Sequence, residues 1–448
     1  MPEDGGHAQR LDALRAQWRV ADGGRPLGLA KTTSNLFRDR SEGVKRRLDL
    51  SAFDHVLGVD RDAGWVDTEG LVRYEQLVDT LLPQGLMPAV VPQLKTITAA
   101  GAVAGVGIEA TSFRYGLVHD TLLELEVLLP NGEIVLATAD NPHRDLFFGF
   151  PNAYGTLGYA LRLKLRTRPT QPLVRVRHTR FAQPQPFFDA LAAACGSDAD
   201  FVDGVVFAED CHVLSVAHFV AEGPPPSDYS FEHIYWQSLL RRDEDHLSAH
   251  GYLWRWDTDW FWNSRQFGLQ RRWLRRLVGR QRLNSRTYTR WMRTNARLGL
   301  TRVLARLRGD HPESVIQDVD IPLPRCAEFL SFLQREIGIR PIWICPIRPA
   351  DAARPFTLYP LRPGMPYLNF GFWDVVHSRD AHAPGHFNRL VEAQVMQLGG
   401  IKSLYSDSFF SREDFDRAYG MPAYAALKAK YDPQRRLLGL YEKCVLRA

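Results

Sequence analysis

The chain has 448 residues, of which 45% are hydrophobic and 24% are charged, and its formal net charge at pH 7 is +5. This length predicts two or three domains, and the composition excludes a disordered or a fibrous protein. No apolar run is long enough to span a membrane, and the polar N-terminal residues do not resemble a secretory signal, so we expect a cytoplasmic protein. Five scattered cysteines lack metal-ligand spacing, which predicts reduced thiols and no metal site.

The first part of the chain predicts a mixture of strands and helices. An amphipathic helix is expected where Leu71, Tyr74 and Leu81 fall on one face, with Gly85 at its C-terminus. An "NG" pair between two apolar segments predicts a β-hairpin. In chain order we predict a helix at 7–20, a strand at 55–60, a turn at 63–69, a helix at 70–85, a strand at 86–92 and a hairpin formed by 122–129 and 133–137.

Closely spaced prolines mark the end of a first domain, for which we predict residues 1–172. Residues 173–400 mix strand and helix patterns and predict a second domain. Residues 401–448 predict short helices, one of them starting after an N-cap serine, Ser411. The sequence therefore favours an α+β fold with two domains and a C-terminal segment.

The segment 96–116, TITAAGAVAGVGIEATSFRYG, concentrates glycine and alanine. Glycine lets a ligand approach the backbone closely, and successive amides then form a concave site for an anion such as pyrophosphate. The segment is too rich in glycine to predict a good helix, and on its own a tight structural turn is the better explanation. It also lacks the G-x-G-x-x-G pattern that follows a strand in Rossmann folds.

The order of these features is more specific than any one of them. A strand, a helix and a strand ending at Pro92 precede the glycine segment, and a hairpin and a second small-residue turn, GTLG at 155–158, follow it. This order resembles the FAD-binding domain of the vanillyl-alcohol oxidase or PCMH-type flavoproteins, and within them the sterol Δ24-reductase-like branch. The segments VIQDVDIPLPRCAEFL, RPIWICPIR and LYSDSFFSREDFDRAYG resemble later parts of that branch.

The resemblance implies a PCMH-type two-part FAD-binding domain in residues 1–172, a mixed α/β cap domain in 173–400, and a segment, 401–448, that returns to the flavin. The first pyrophosphate loop is replaced by LAKTTSNLFR, without the histidine that often carries a covalent flavin, so we expect non-covalent FAD. The residues expected to hold FAD are Pro92, Thr98, Gly101, Gly105, Gly107, Ser112, Tyr115, Gly116, Ile134, Val135, Gly155 and Gly158, with Thr33, Ser34 and Asn35 as substitutes in the first loop.

Members of that branch reduce an isolated C=C bond in a lipid, and NADPH or NADH reduces the flavin again. Protonation has to lead the reduction of such an alkene, because no carbonyl group would stabilise a carbanion, so a general acid is expected in a dry apolar pocket. The candidate acids are Tyr405, Asp407 and Glu109, with His119 as a weaker one, and each of them competes with a purely structural role. The residues expected to line the substrate pocket are Trp343, Cys345, Asn369 and Phe370.

Residues 264–309 contain 14 arginines and neither lysine nor an acidic residue. Apolar residues at helical spacing, with arginine on the other faces, predict a basic amphipathic helix at a membrane surface. Nucleic acid is a rival partner and a solvated basic face is a third explanation; we favour the inner face of a membrane. The residues expected at that surface are Arg271, Arg272, Trp273, Arg275 and Arg276.

Two lipid substrates fit the implied chemistry. The preference for arginine over lysine indicates a GC-rich bacterial gene, and such bacteria generally make no sterols. Bacterial members of the branch that the sequence resembles include reductases of 10-methylene fatty acyl phospholipids. The resemblance therefore implies reduction of such a lipid to the 10-methyl-branched, tuberculostearate-type chain, with a lipid methyltransferase supplying the substrate, and a Δ24-sterol as the second candidate. The alternatives are an FAD-dependent oxidase of an alcohol or sugar, and a flavin-carrying membrane protein without turnover.

Overall fold

The computed structural model describes residues 5–20, 27–30, 38, 46–298 and 310–447. Two antiparallel sheets, each packed against helices, form an α+β fold of two domains, so the predicted fold class is confirmed. Within these ranges no helix is both long and apolar enough to cross a membrane.

The first sheet lies between residues 56 and 169, and a short parallel pair of strands precedes it. The pair consists of β1 (Leu27–Leu29) and β2 (Arg46–Leu48), and the sheet consists of β3 (Val56–Asp60), β4 (Trp65–Glu69), β5 (Leu86–Pro88), β6 (Leu122–Leu128), β7 (Ile134–Thr138) and β8 (Tyr159–Pro169). The strand order is β3-β4-β8-β6-β7, with β5 paired to β8, and all neighbours in the sheet are antiparallel. The predicted hairpin is confirmed as β6 and β7.

The turn predicted at residues 63–69 is wrong for most of its length. The chain reverses before Trp65, where Gly64 adopts a φ of 68°. The next five residues form β4, which pairs with β3 on one side and with β8 on the other. Pairing on both sides satisfies the backbone of β4 and overrides the turn-like composition of the segment.

The first domain has five described α-helices, two of which lie within the glycine segment itself. They are α1 (Gly5–Val20), α2 (Tyr74–Leu81), α3 (Ala99–Ala104), α4 (Ser112–Tyr115) and α5 (Arg144–Gly149). Helix α2 buries Tyr74, Leu77, Val78 and Leu81, which is the apolar face expected from the sequence. A short turn of 3₁₀ helix extends it, and Gly85 ends this turn with a left-handed φ of 69°, as predicted.

The glycine segment is more helical than its composition predicts. Thr98 caps α3, because its side-chain oxygen accepts a hydrogen bond from the Gly101 amide at 3.2 Å. Gly70 lets α3 approach the sheet: its amide donates to the Leu161 carbonyl and its carbonyl accepts from the Ala100 amide. A side chain at Gly70 would collide with the carbonyl oxygen of Ala160, so this close approach requires glycine.

The second sheet has eight strands and starts just beyond the boundary predicted at residue 172. Its strands are β9 (Leu173–Phe181), β10 (Phe201–Ala208), β11 (Cys211–Val220), β12 (Glu244–Ser248), β13 (His311–Pro322), β14 (Ile342–Ile347), β15 (Tyr367–Ser378) and β16 (Ile401–Lys402). They run in the order β12-β9-β11-β10-β14-β15-β13-β16, and every neighbouring pair is antiparallel.

Helices pack on both sides of the second sheet and follow it to the C-terminus. They are α6 (Pro184–Cys195), α7 (Tyr235–Leu239), α8 (Ala249–Leu253), α9 (Arg272–Val278), α10 (Ser285–Leu298), α11 (Cys326–Phe332) and α12 (His386–Gln397), then α13 (Arg412–Ala418), α14 (Met421–Tyr431) and α15 (Leu440–Cys444). Ser411 caps α13 by accepting from the Asp414 amide at 3.1 Å, as predicted. The C-terminal segment returns to the first domain, where Lys428 and Lys443 donate to the carbonyls of Thr156 and Tyr154.

Candidate functional site

A cavity of about 970 Å³ lies between the two sheets. The glycine segment and the second small-residue turn form one end, strands β13, β14 and β15 form the other, and the C-terminal segment closes the side. This volume is near the upper limit for ligand pockets, which suits a large cofactor together with a substrate. The predicted site residues that line it are Pro92, Gly101, Gly105, Gly107, Gly155, Gly158, Trp343, Asn369 and Tyr405.

The end formed by the small residues fits a dinucleotide. Its glycines have no room for side chains: a Cβ at Gly105 would lie 2.8 Å from the Gly101 carbonyl oxygen, and one at Gly158 would lie 2.7 Å from that of Leu128. Three cationic side chains line the same cavity and suit a pyrophosphate group. They are Arg38, Arg47 and Lys443.

Acidic and aromatic side chains form the opposite end. The hydroxyl of Tyr405 accepts a hydrogen bond from the indole nitrogen of Trp373 at 2.8 Å and is hydrogen-bonded to Asp318. Burial in this apolar surrounding raises the pKa of Asp318 to about 7; the hydrogen bond from Tyr405 lowers the pKa, and the smaller effect of the Asp320 charge raises it. Asp318 is therefore protonated in a large fraction of molecules near neutral pH.

A second carboxyl, Asp320, is more firmly held. It accepts hydrogen bonds from the Tyr359 hydroxyl at 2.7 Å and from the Asn369 amide at 2.8 Å. Burial raises its pKa to about 6. Asp318 and Asp320 were missed in the sequence, although the alternation of two acids on one face of an apolar strand, DVD, is a signal that could have identified them.

Aromatic rings form the apolar wall beside this pair. Trp260, Phe261, Trp343 and Trp373 line the cavity, and the ring centroids of Phe261 and Trp373 lie 4.6 Å apart. Trp260 and Phe261 are in the left-handed region, with φ angles of 49° and 47°. Such angles are costly for bulky residues and occur most often at functional sites.

Glu109, a predicted acid, lies behind the cavity wall in an ion cluster. Arg255 donates to the carboxylates of Glu109 at 3.0 Å and of Asp203 at 2.8 Å, and all three side chains are buried. Gln93 donates to the other Glu109 oxygen. Burial raises the pKa of Glu109 to about 7, which the charge of Arg255 opposes. Glu109 does not line the cavity, so its place is that of a structural group.

Three other predicted site residues lie away from the cavity. Asp407 pairs with Arg447 at 3.6 Å instead. Phe370 faces the opposite side of the sheet from Asn369, because neighbouring residues of a strand alternate, and its ring packs against Phe329. Cys345 shares the face of Trp343 but is covered, and its thiol donates to the Glu109 carbonyl at 3.1 Å.

The remaining residues expected to hold FAD do not line the cavity. Ser112 accepts a hydrogen bond from the Glu109 amide at 3.1 Å, and Thr98 caps α3. The Tyr115 ring lies under the guanidinium of Arg168, at 5.5 Å. Gly116 has a left-handed φ of 77°, Ile134 and Val135 pack in the core through β7, and Thr33, Ser34 and Asn35 fall outside the described residues.

Four of the five residues expected at a membrane surface lie together at α9, and residues 299–309 of the predicted segment fall outside the described residues. We call this exposed side of α9 the basic face: Arg271, Arg272, Trp273, Arg276 and Leu277. Trp273 is 59% exposed and Leu277 is 76% exposed. Glu232 pairs with Arg272 and Arg276 and neutralises part of their charge. The prediction for Arg275 is wrong: it is fully buried, because its guanidinium donates to the carbonyls of Phe231 and Leu269.

Polar atoms without partners support a ligand in the cavity. Gln93 Oε1, Asp318 Oδ1 and Asn369 Oδ1 are buried and have no hydrogen-bond partner among the described residues, and all three side chains line the cavity. Buried polar atoms are normally satisfied, so these atoms indicate a bound group. FAD fits the whole arrangement, with its diphosphate at the cationic end and its ring system toward the aromatic wall.

Known proteins share these features. A family model described as an FAD binding domain matches residues 9–138. The Delta(24)-sterol reductase of Arabidopsis thaliana is 26% identical over 438 residues, which cover 88% of this chain and 76% of the plant protein. The Delta(24)-sterol reductase of Homo sapiens is 24% identical over 420 residues, 87% of this chain and 75% of the human protein.

The chain is similar to Delta(24)-sterol reductases over most of its length, and its first part matches an FAD binding domain. The resemblance predicted from the sequence is thereby confirmed, and the chain is an FAD-dependent oxidoreductase. About a third of the chain is also similar to an oxidase. The decaprenylphosphoryl-beta-D-ribose oxidase of Mycolicibacterium smegmatis is 28% identical over 160 residues, which cover 35% of each chain.

The ion cluster predicts a large effect of one substitution. Arg255→Met leaves the Glu109 and Asp203 carboxylates buried without a counter-charge, so we expect the free energy of unfolding at neutral pH to fall by about 3–5 kcal/mol. Urea denaturation measures this free energy of unfolding. Adding Glu109→Gln and Asp203→Asn to Arg255→Met should restore most of the loss. Arg412→Met, which removes an exposed pair with Asp416, is the control, and an equal effect of both single variants would contradict the prediction.

Proposed function

We propose that this protein is an FAD-dependent reductase of an isolated C=C bond in a membrane lipid. The observation that carries the proposal is the hydrogen-bonded pair of Tyr405 and Asp318, which opens onto a cavity walled by aromatic rings. An oxidase of an alcohol would need a base to take a proton from a hydroxyl group. Here Asp318 is partly protonated, and burial together with the Asp318 charge raises the pKa of Tyr405, so both groups carry a proton near neutral pH and neither is available as a base.

The reaction needs a proton before hydride. We assign Tyr405 as the acid that protonates the less substituted carbon of the alkene, so that positive charge develops on the branched, tertiary carbon. Reduced FAD bound in the cavity would supply hydride to that carbon. The aromatic lining, which includes Phe261, Trp343 and Trp373, would exclude water and stabilise the developing cation.

Asp318 returns a proton to the tyrosine. As Tyr405 gives up its proton to the alkene, protonated Asp318 donates to the phenolic oxygen through the existing hydrogen bond, and Tyr405 is never left as a buried phenolate. The Trp373 indole, which also donates to this oxygen, holds the ring in place. The carboxylate that remains on Asp318 regains its proton between turnovers.

For the substrate we place a 10-methylene fatty acyl phospholipid first and a Δ24-sterol second. Both are branched, isolated alkenes whose protonation gives a tertiary cation, so the same residues serve either. The residue usage of the chain supports the acyl lipid, and the names of the plant and human relatives support the sterol. NADPH or NADH as electron donor, and a lipid methyltransferase that produces the methylene lipid, belong to the same proposal.

The basic face places the protein at its substrate. Helix α9 exposes Trp273 and Leu277 four residues apart, flanked by Arg272 and Arg276, while its inner side packs through Leu274 against Trp260 of the cavity wall. An interfacial helix combines such an apolar ridge with arginine that anionic headgroups attract. We therefore propose peripheral binding of α9 to an anionic membrane, close to the entrance for lipid.

If the protein is the proposed reductase, a colour change of its flavin should identify the substrate. NADPH should bleach the flavin anaerobically, and liposomes with the 10-methylene lipid should restore the yellow colour with a gain of two hydrogens in the lipid. Tyr405→Phe should slow this return by about 10²–10⁴-fold and leave bleaching unchanged, because only the protonation step needs the hydroxyl.

The control is Tyr441→Phe, whose hydroxyl bonds to the Phe410 carbonyl outside the cavity. Return of the colour only with a Δ24-sterol would exchange the two candidate substrates. Return only with air would support an oxidase, and liposome binding without NADPH oxidation would support a protein without turnover. Unchanged reoxidation in Tyr405→Phe would remove this residue from the mechanism.

The pKa of Asp318 predicts how the rate depends on pH. The folded-state pKa is raised to about 7, and the protonated form is the donor, so the rate of alkene reduction should be full below pH 7 and fall as pH rises through about 7. Asp318→Asn should be slow and independent of pH in this range. Asp320→Asn is the matched control: it should keep the fall but move it to somewhat lower pH, because the Asp320 charge raises the pKa of Asp318. Complete loss of the fall in this variant would assign the titration to Asp320.

Membrane binding predicts the effect of two surface residues. Trp273→Ala with Leu277→Ser should lower the affinity for phosphatidylglycerol vesicles at least tenfold, because burying one such side chain contributes about 1.5–3 kcal/mol. Vesicle co-sedimentation measures this. Leu136→Ser, at an exposed leucine of the first domain, should leave binding unchanged. Equal binding by the double variant and the unchanged protein would refute the role of the basic face.

A further inference from the structure

A second cavity, of about 310 Å³, lies on the other side of Tyr359. Its walls come from the loop after the glycine segment, at His119 and Asp120, and from the loop between β14 and β15, including Arg348, Arg354 and Tyr359. Tyr359 lines both cavities, and its hydroxyl is the one that donates to Asp320. The second cavity therefore adjoins the reactive end of the main one.

Two arginines of this second cavity have no acidic partner among the described residues, and Arg354 is only partly satisfied, by donating to the Leu122 carbonyl at 3.1 Å. Neither Arg348 nor Arg354 forms an ion pair with any residue that the structure describes, and Arg354 Nε has no hydrogen-bond partner there. Burial lowers the pKa of Arg354, and the nearby guanidiniums of Arg166 and Arg348 oppose its charge while Asp120 favours it. Three guanidiniums this close together are stabilised by an anion.

The acidic residues of the same cavity are already engaged. Asp120 accepts a hydrogen bond from the Leu117 amide at 2.8 Å, and Asp351 accepts one from the Ala353 amide at 2.9 Å. Both carboxylates thus hold their own loops in shape. Their charges favour the cationic form of Arg354, but within the described residues neither carboxylate forms an ion pair with Arg348 or Arg354.

His119 supplies an independent sign of a ligand. It is only 3% exposed, it lines the second cavity, and its Nδ1 atom has no hydrogen-bond partner among the residues described. Its ring is held in place by the edge-on ring of Phe356, with centroids 4.4 Å apart. A buried ring nitrogen without a partner is rare unless a bound group satisfies it.

We propose that the second cavity binds the 2′-phosphate of NADPH through Arg348 and Arg354, with His119 as a third hydrogen-bonding group. The inference rests on the proposed reductase, which needs a nicotinamide donor. Two guanidiniums suit a phosphate dianion, and the small volume suits the phosphate and its ribose rather than a whole dinucleotide. The rest of the donor then extends past Tyr359 toward the main cavity. The site therefore selects NADPH over NADH.

Calorimetry on the FAD-loaded protein tests this without turnover. The probes are 2′-phospho-ADP-ribose, ADP-ribose and inorganic phosphate. The unchanged protein should bind the first at least tenfold more tightly than the other two. Arg348→Gln should abolish that preference and leave ADP-ribose unaffected, Arg348→Lys should keep part of it, and the exposed Arg379→Gln should change nothing.

Other outcomes would overturn the assignment. If Arg348→Gln binds 2′-phospho-ADP-ribose as tightly as the unchanged protein, the 2′-phosphate binds elsewhere. If Arg348→Gln weakens the binding of ADP-ribose equally, Arg348 binds the pyrophosphate and not the 2′-phosphate. Phosphate bound as tightly as the nucleotide would indicate a site for free phosphate. Thermal melting and flavin absorbance show whether each variant is folded. Failure of lipid reduction with the NADPH preference intact would count against the proposed reductase and not against this site.

Discussion

The buried contact of Arg255 with Glu109 and Asp203 is the constraint on which the cavity depends. It joins the glycine segment to β10 of the second sheet and to the chain that follows α8, so three distant parts of the sequence meet at one guanidinium. Trp343 donates to the same Asp203 carboxylate at 3.1 Å, which fixes an aromatic ring of the cavity wall. One cation between two buried acids leaves an excess of negative charge, and the raised pKa of Glu109 relieves it.

From this anchor the cavity divides into two chemical environments. At one end glycine backbone and cationic side chains suit an anionic cofactor, and at the other Asp318 and Tyr405 are hydrogen-bonded to each other beside aromatic rings. The separation of the cationic side chains from Asp318 matters for the proposed reaction. A cation beside Asp318 would lower its pKa and remove the proton that the proposed reaction requires.

Sequence patterns correctly predicted the structural features that depend on residues close together in the chain. The apolar face of α2, the hairpin at the NG pair and the cap at Ser411 follow from residues within a few positions of each other, and all are found. The proton-donating pair could not be predicted in full, because Asp318 reaches Tyr405 only through the pairing of β13, β15 and β16. Arg275 shows the same limit. Its neighbours in the sequence predict a surface residue, yet it is buried and donates to the carbonyl of Phe231, 44 residues away in the chain.

The chain between α8 and α10 connects the wall of the cavity with the surface of the protein. Trp260 lines the cavity with an unfavourable left-handed backbone, and the same ring packs under α9, whose outer side is the basic face. The cost of that backbone is of the order of 1–3 kcal/mol per residue, and the cluster of Trp260, Leu269, Leu283 and Tyr288, against which Leu274 and Val278 of α9 pack, helps to offset it. If α9 binds a membrane as proposed, this one apolar cluster connects the helix at the membrane with the wall of the cavity that would receive the lipid.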